Sequence, residues 1–264
     1  AQKANSDLGQ TVLGFHGIAF ILFRDGQPRK ANELNSYDSY NKDGLDFTKF
    51  TGEYEMIFAE AVAGDLRNSI YRLEVCWNEN APKSHFDVLN DLEWNTKMSN
   101  SDQSYGQNMK AAGQAGSLYR SIKSACSAVL AGDGGAVGIS DEVGLTKISL
   151  PYTGSDIHHI ESPYSYNSLT DFWDNIQSVA NVWYGGVEEH RGAYSFDSYF
   201  KKYNPTIAAN VEKAISDAQT AIKAIPAPFV LNYTSPKCQE AINACLELSK
   251  ALNAANDYIV NSKD

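Results

Sequence analysis

The residue types best suited to chemistry fall together in Gly14-Phe15-His16-Gly17-Ile18-Ala19-Phe20-Ile21-Leu22-Phe23-Arg24-Asp25-Gly26-Gln27-Pro28-Arg29. An imidazole and a carboxylate at positions i and i+3 of a helix lie on one face and can share a metal ion. Here position i+3 from His16 is Ala19, whose methyl group donates nothing. A catalytic zinc needs about three protein ligands and an open position, and this helix supplies at most His16. The plainer reading sets His16 on an apolar face with Val12, Ala19 and Phe23, as a hydrogen-bonded core residue. Arg24 and Arg29 carry planar guanidinium forks that suit a carboxylate or another anion. Local acids would serve them equally well.

Three further groups invite the same question. His158-His159 with Glu161 looks like a chelating cluster, but adjacent side chains on regular structure point different ways, so ordinary surface histidines are expected. Glu188-Glu189-His190 reads as a solvated run, and His85 as a loop residue with no partner in sequence. Glu161, Ser162, Ser165, Tyr166 and Asn167 offer a carboxylate, hydroxyls and an amide just ahead of a helix. They either meet a ligand or cap that helix and satisfy the loop backbone. Asn41-Lys42-Asp43-Gly44-Leu45-Asp46 lacks the spacing and closing glutamate of a calcium loop and reads as a turn. Gly132-Asp133-Gly134-Gly135 reads the same way. No H-E-x-x-H, G-x-S-x-G, G-x-x-x-x-G-K or G-x-G-x-x-G occurs.

The elements that must position these groups are helices. Phe58, Val62, Leu66, Ile70, Leu73 and Trp77 step by three and four, which draws one stripe down a helix. Leu118, Ile122, Cys126 and Val129 do the same, as do Phe172, Ile176, Val179 and Trp183. Two more stripes run through Ile207, Val211, Ile215, Ala218 and Ile222, and through Ile242, Cys245, Leu248, Leu252, Ala255 and Ile259. Asn204-Pro205 and Ser235-Pro236 each place a capping side chain before a proline suited to the first helical turn. Ser168 and Asp171 form a capping-box pattern ahead of Phe172, Gly185-Gly186 ends that helix, and Pro226 ends the next. No alternating run predicts a substantial sheet. Residues 25–52, 78–104 and 131–166 read as long polar connections, the second as a domain boundary. The expected architecture is therefore all-α, in two related helical bundles at 1–100 and 101–264. Only two helices, near residues 8–24 and 53–78, precede the boundary, so the first bundle reads as lacking helices that lie before Ala1.

Of the 264 residues, 22 are basic and 32 acidic, a formal charge of -10, so the basic stripe of a nucleic-acid-binding protein is not expected. The longest apolar run, Ile18 to Phe23, is far short of the roughly 18 residues that span a bilayer. Any signal peptide or lipid anchor would stand ahead of Ala1. Cys76, Cys126, Cys238 and Cys245 form no C-x-x-C pair and read as packed small hydrophobes, with one disulfide conceivable in an exported protein.

The 14–29 segment resembles the signature of the imelysin-like family, G-x-H-x-x-E followed by an aliphatic run and an arginine. The resemblance continues through Ile160-Glu161-Ser162-Pro163-Tyr164-Ser165-Tyr166-Asn167-Ser168 and Asn181-Val182-Trp183-Tyr184-Gly185-Gly186. Weaker blocks are Val62-Ala63-Gly64-Asp65-Leu66-Arg67 and Ala224-Ile225-Pro226-Ala227-Pro228-Phe229. The pattern is similar to exported lipoproteins of Bacteroides-type bacteria. The resemblance implies two helical bundles with the signature helix near their junction, and a place in the periplasm or on the outer membrane. It also implies a role in iron uptake, with some members classed as metallopeptidases. Ala19 departs from the signature glutamate. The expectation is thus a non-catalytic envelope binding protein. Its ligand site would draw on His16, Arg24, Glu161, Ser162, Ser165, Tyr166 and Asn167, and His16 would be the residue to meet iron or zinc. Its ligand would be a metal, haem, a peptide or another envelope protein. A metallopeptidase, or a surface interaction protein with a vestigial site, is the alternative.

Overall fold

The computed structural model describes residues 13–34, 51–132 and 134–262. Val12, the proposed helical start near residue 8, the 41–46 turn and Asp133 lie outside the described residues. The chain divides into two compact units, Ala1–Leu118 and Tyr119–Asp264.

The first unit holds four helices among its described residues: α1 (Gly14–Leu22), α2 (Gly52–Trp77), α3 (Lys83–Asp91) and α4 (Tyr105–Lys110). A two-residue antiparallel pairing, β1 (Phe23–Arg24) with β2 (Gln27–Pro28), follows α1, with Phe23 opposite Pro28. A 3₁₀ turn at Ala31–Leu34 comes next. Helix α2 starts where Thr51 accepts a hydrogen bond from the Tyr54 amide. Helix α1 packs on it, and α3 and α4 pack on it elsewhere. The apolar stripe read from α2 is only partly buried. Val62 is sealed off, but Ile70, Leu73 and Trp77 are about half exposed or more. The other side of its C-terminal half, with Val75 and Tyr71, meets Ala81, Phe86, Leu89 and Trp94 in a small core. Residues 78–104 are therefore no plain connection. Lys83–Asp91 is helical, because Phe86 and Leu89 sit one turn apart and dock on α2.

The second unit carries the main core. Its long helices are α5 (Ile122–Ala131), α8 (Ser168–Tyr184), α10 (Pro205–Lys223) and α12 (Pro236–Asn261), with the short α9 (Phe196–Tyr203) and α11 (Phe229–Asn232). Asn204 and Ser235 cap α10 and α12 through their side chains, with Pro205 and Pro236 in the first turn, as the sequence predicts. Gly185 ends α8 in the left-handed conformation at φ 82°. Phe172, Ile176, Val179 and Trp183 of α8 are fully buried in the main core, where α8 packs on α10. Phe229 meets Phe172 edge-on at 5.1 Å, and Trp183 stacks on Phe200 at 5.4 Å. Burial on this scale contributes roughly 1.5–3 kcal/mol per large side chain.

The expected connection at 131–166 is instead largely helical. α6 (Ala136–Asp141) runs into a π-helical stretch, Glu142–Ile148, and on into α7 (Ser149–Thr153). Its buried face is built of Ala136, Ser140, Val143, Gly144, Ile148 and Pro151, so small residues stand where a large apolar stripe would have shown. Gly144 faces α12 so closely that a Cβ there would lie 3.1 Å from that of Cys245. Cys76, Cys126, Cys238 and Cys245 are free thiols, the last two fully buried.

Candidate functional site

Helix α1 begins with Gly14 in the left-handed region at φ 69°, a conformation that side chains other than glycine adopt only under strain. Two residues on, His16 is exposed to solvent, and Ala19 is half-buried one turn later. The expected core histidine is thus a surface one, because the buried face of α1 runs through Gly17 and Ile21 instead.

The strongest electrostatic feature of the first unit is one that sequence reasoning missed. Glu55, in the first turn of α2, is only 6% exposed. Arg29 grips it with both guanidinium nitrogens, Nη1 to Oε1 at 3.0 Å and Nη2 to Oε2 at 2.9 Å. Arg24 adds a longer contact, Nη2 to Oε1 at 3.4 Å. Further guanidinium donors go to backbone carbonyls: Arg29 to Ile21 at 2.9 Å and to Glu33 at 3.4 Å, Arg24 to Phe23 at 2.9 Å and to Phe20. Two cations and one buried anion therefore clamp the signature helix onto α2. The local acid that the arginines called for is Glu55. Its sequence signal was weak: one acid among several at a helix start, where the helix dipole already favours acids.

In the second unit, segment 160–167 winds back on itself between α7 and α8. Ser162 and Tyr166 both hold positive φ, 50° and 60°, and the Tyr166 amide donates to the Ser162 carbonyl at 3.0 Å. Non-glycine residues in this region are uncommon and need support from their surroundings. Asp171 supplies it: its carboxylate accepts from the Ser162 hydroxyl and from Asn167 Nδ2 at 2.8 Å. The Ser168 hydroxyl donates to the Glu161 carbonyl. Glu161 itself meets Lys147 Nζ at 2.8 Å, and Lys147, in the π stretch, also lies 3.7 Å from Glu142. The capping box expected of Ser168 and Asp171 is not formed. Asn167 stands at the N-cap without a capping side-chain bond, because both side chains are committed to the loop. Ser165 and Tyr166 are half-buried and Asn167 exposed. His16 and Arg24 thus lie in one unit and Glu161, Ser162, Ser165, Tyr166 and Asn167 in the other.

The other histidines fall out simply. His158 and His159 are exposed in a 3₁₀ turn, where Asp156 caps the His158 amide at 2.9 Å. His190 is exposed in a second such turn. His85 does have a partner, contrary to the sequence reading. It sits on α3, its Nδ1 is 2.6 Å from Glu74 Oε2, and its ring stacks on Tyr71 at 3.7 Å. Among the described residues no group of three or more histidine, cysteine, aspartate or glutamate side chains is arranged to hold a metal ion. The described part of the signature helix therefore does not fit a catalytic metal by itself.

The profile of the imelysin family, peptidase M75, matches residues 1–255. The chain belongs to the imelysin family. It is 28% identical over 160 residues to iron-regulated protein A of Synechococcus elongatus, an alignment covering 60% of this chain and 43% of that protein. Among solved structures it resembles one designated an iron-regulated protein A precursor from Parabacteroides distasonis, with a TM-score of 0.71 and 26% identity. That match covers 94% of this chain and 64% of the other. An imelysin peptidase from Bacteroides ovatus matches with a TM-score of 0.54 and 31% identity, over 60% of this chain and 46% of that one. The chain thus spans less than two thirds of each of these relatives. No helix among its described residues is long and apolar enough to cross a membrane.

Proposed function

We propose that this imelysin-family chain works as a binding protein and not as a peptidase: an exported protein of the bacterial cell envelope that serves iron uptake. Position 19 carries the proposal. The family signature places a carboxylate one turn after the histidine, and this chain places a methyl group there. The family match and the iron-regulated relatives support the link to iron. In this reading His16 offers a contact for iron or haem in the first unit, and the 161–167 segment a separate one in the second. Arg24 positions the signature helix through Glu55. The resemblance to the Bacteroides ovatus imelysin peptidase favours a metallopeptidase as the second reading.

The test is a titration of the whole chain with zinc, ferrous iron and hemin, beside Ala19→Glu and His16→Ala. Restoring the carboxylate should tighten zinc binding by about tenfold or more, as expected for an added charged ligand. The unaltered chain should show saturable iron or hemin binding without chelator-sensitive peptide hydrolysis. Zinc-dependent hydrolysis by the unaltered chain, lost in His16→Ala, would overturn the proposal.

A further inference from the structure

A cavity of about 800 Å³ opens in the first unit along the exposed face of α2. Its size suits a small molecule, since ligand sites run to roughly 300–1,000 Å³. Leu13 and Gly14, at the start of α1, line it. So do three aromatic side chains: Trp77 and Tyr105, 5.8 Å apart between ring centroids, and Trp94. Trp77 is 48% exposed and Leu73 beside it 62% exposed, which is unusual apolar exposure unless something covers it.

The charges in this cavity are ordered. Arg72 lines it beside the aromatic side chains, with its guanidinium 5.9 Å over the Trp94 ring. Its Nε donates to the Asn95 carbonyl at 2.9 Å, which fixes the plane of the group. Neither Nη atom makes a hydrogen bond or ion pair among the described residues, so the outer edge of the fork is available. Asp65 lines the cavity seven residues earlier, about 10.5 Å along the helix axis, and it too has no partner among the described residues. A held guanidinium edge matches a carboxylate in bidentate geometry. The indole and phenol faces match a flat ring. Asp65 disfavours a second negative charge at the far end.

We propose that this cavity binds an aromatic carboxylate, its acid group on the Arg72 Nη edge and its ring against Trp77, Trp94 and Tyr105. The site is separate from His16 and does not depend on the function proposed above.

The probes are 2-naphthoate and, as an uncharged control with the same ring, 2-naphthylmethanol, titrated into the whole chain by calorimetry and by quenching of tryptophan fluorescence. Saturable one-to-one binding is expected, with the carboxylate favoured by about tenfold or more, the usual weight of a charge-assisted pair. Arg72→Gln should abolish that preference while retaining weak binding of both probes. Trp94→Leu should weaken both probes alike. Asp65→Asn should tighten the carboxylate about twofold, the size of a Coulomb term across 10 Å or so of water. Circular dichroism identifies a variant that has not folded, and Arg72→Lys, which keeps the charge and loses the fork, then replaces it with an intermediate preference expected. Absence of saturable binding in the unaltered chain, or a carboxylate preference that survives Arg72→Gln, would overturn the inference. Neither outcome touches the metal titration of His16, so the two proposals fail separately.

Discussion

Glu55→Gln is the sharpest perturbation the first unit offers. The substitution keeps the shape of the side chain and removes its charge. Both guanidinium groups then lose this carboxylate where the Arg29 side chain is 4% exposed and the Arg24 side chain 14%. Removing one partner of a buried ion pair costs about 3–5 kcal/mol. Both arginines keep their bonds to the carbonyls of Ile21, Phe20 and Phe23, which places the expected loss near the lower figure, ~3 kcal/mol. Against a typical domain stability of about 5–15 kcal/mol, that is a large fraction. Urea unfolding would measure it. Trp77 and Trp94 report on the first unit and Trp173 and Trp183 on the second, so replacing the latter two by phenylalanine isolates the relevant signal. The first transition should move to lower urea while the second stays. A loss under about 1 kcal/mol, the range of exposed pairs, would refute the claim that this triad is desolvated and holds the signature helix in place.

Other expectations follow from the second unit. Burial pushes the Cys245 thiol up to about 12 and the Cys238 thiol to about 11, from an ordinary 9.0. The folded state then keeps protons that the unfolded chain loses, so stability is level below about pH 9 and falls as pH rises beyond it; urea midpoints at about pH 8 and pH 10.5 would show it. Asp171→Ala removes the acceptor for Ser162 and Asn167 and should cost about 1–3 kcal/mol, with faster proteolysis within 160–167 as the local readout. Gly144→Ala forces a methyl group against Cys245 and should cost about 1–3 kcal/mol by overpacking, measured as a lowered melting temperature.

The long helices were plain in the sequence because each puts large apolar side chains on one face and carries its own stops, as Asn204-Pro205, Ser235-Pro236 and Gly185-Gly186 do. The 136–153 helix was not, because only Val143 and Ile148 on its buried face are large aliphatic side chains and Ser140, Gly144 and Pro151 between and after them break the stripe. The stripe on α2 was read correctly as helical but not as half uncovered, since periodicity reports a face and not what lies against it. At the candidate site, the arginines and the 161–167 segment were singled out from their types and order. Their partners Glu55 and Lys147 were not, because long-range pairing leaves no trace in local spacing; Asp171 was read as a helix cap and not as the acceptor for Ser162 and Asn167.

The π stretch at Glu142–Ile148 has a consequence for how this chain can change. A wider turn stores one surplus residue relative to an α-helix of the same span. Deleting a single position there would let the backbone relax to ordinary winding while the helix beyond stays near its present rotation, because the wide turn takes up the extra residue locally. In the α-helical turns on either side, the same loss would rotate everything downstream by about 100°. Length is therefore more negotiable within those seven residues than in the turns that flank them, although Lys147 would shift relative to Glu161.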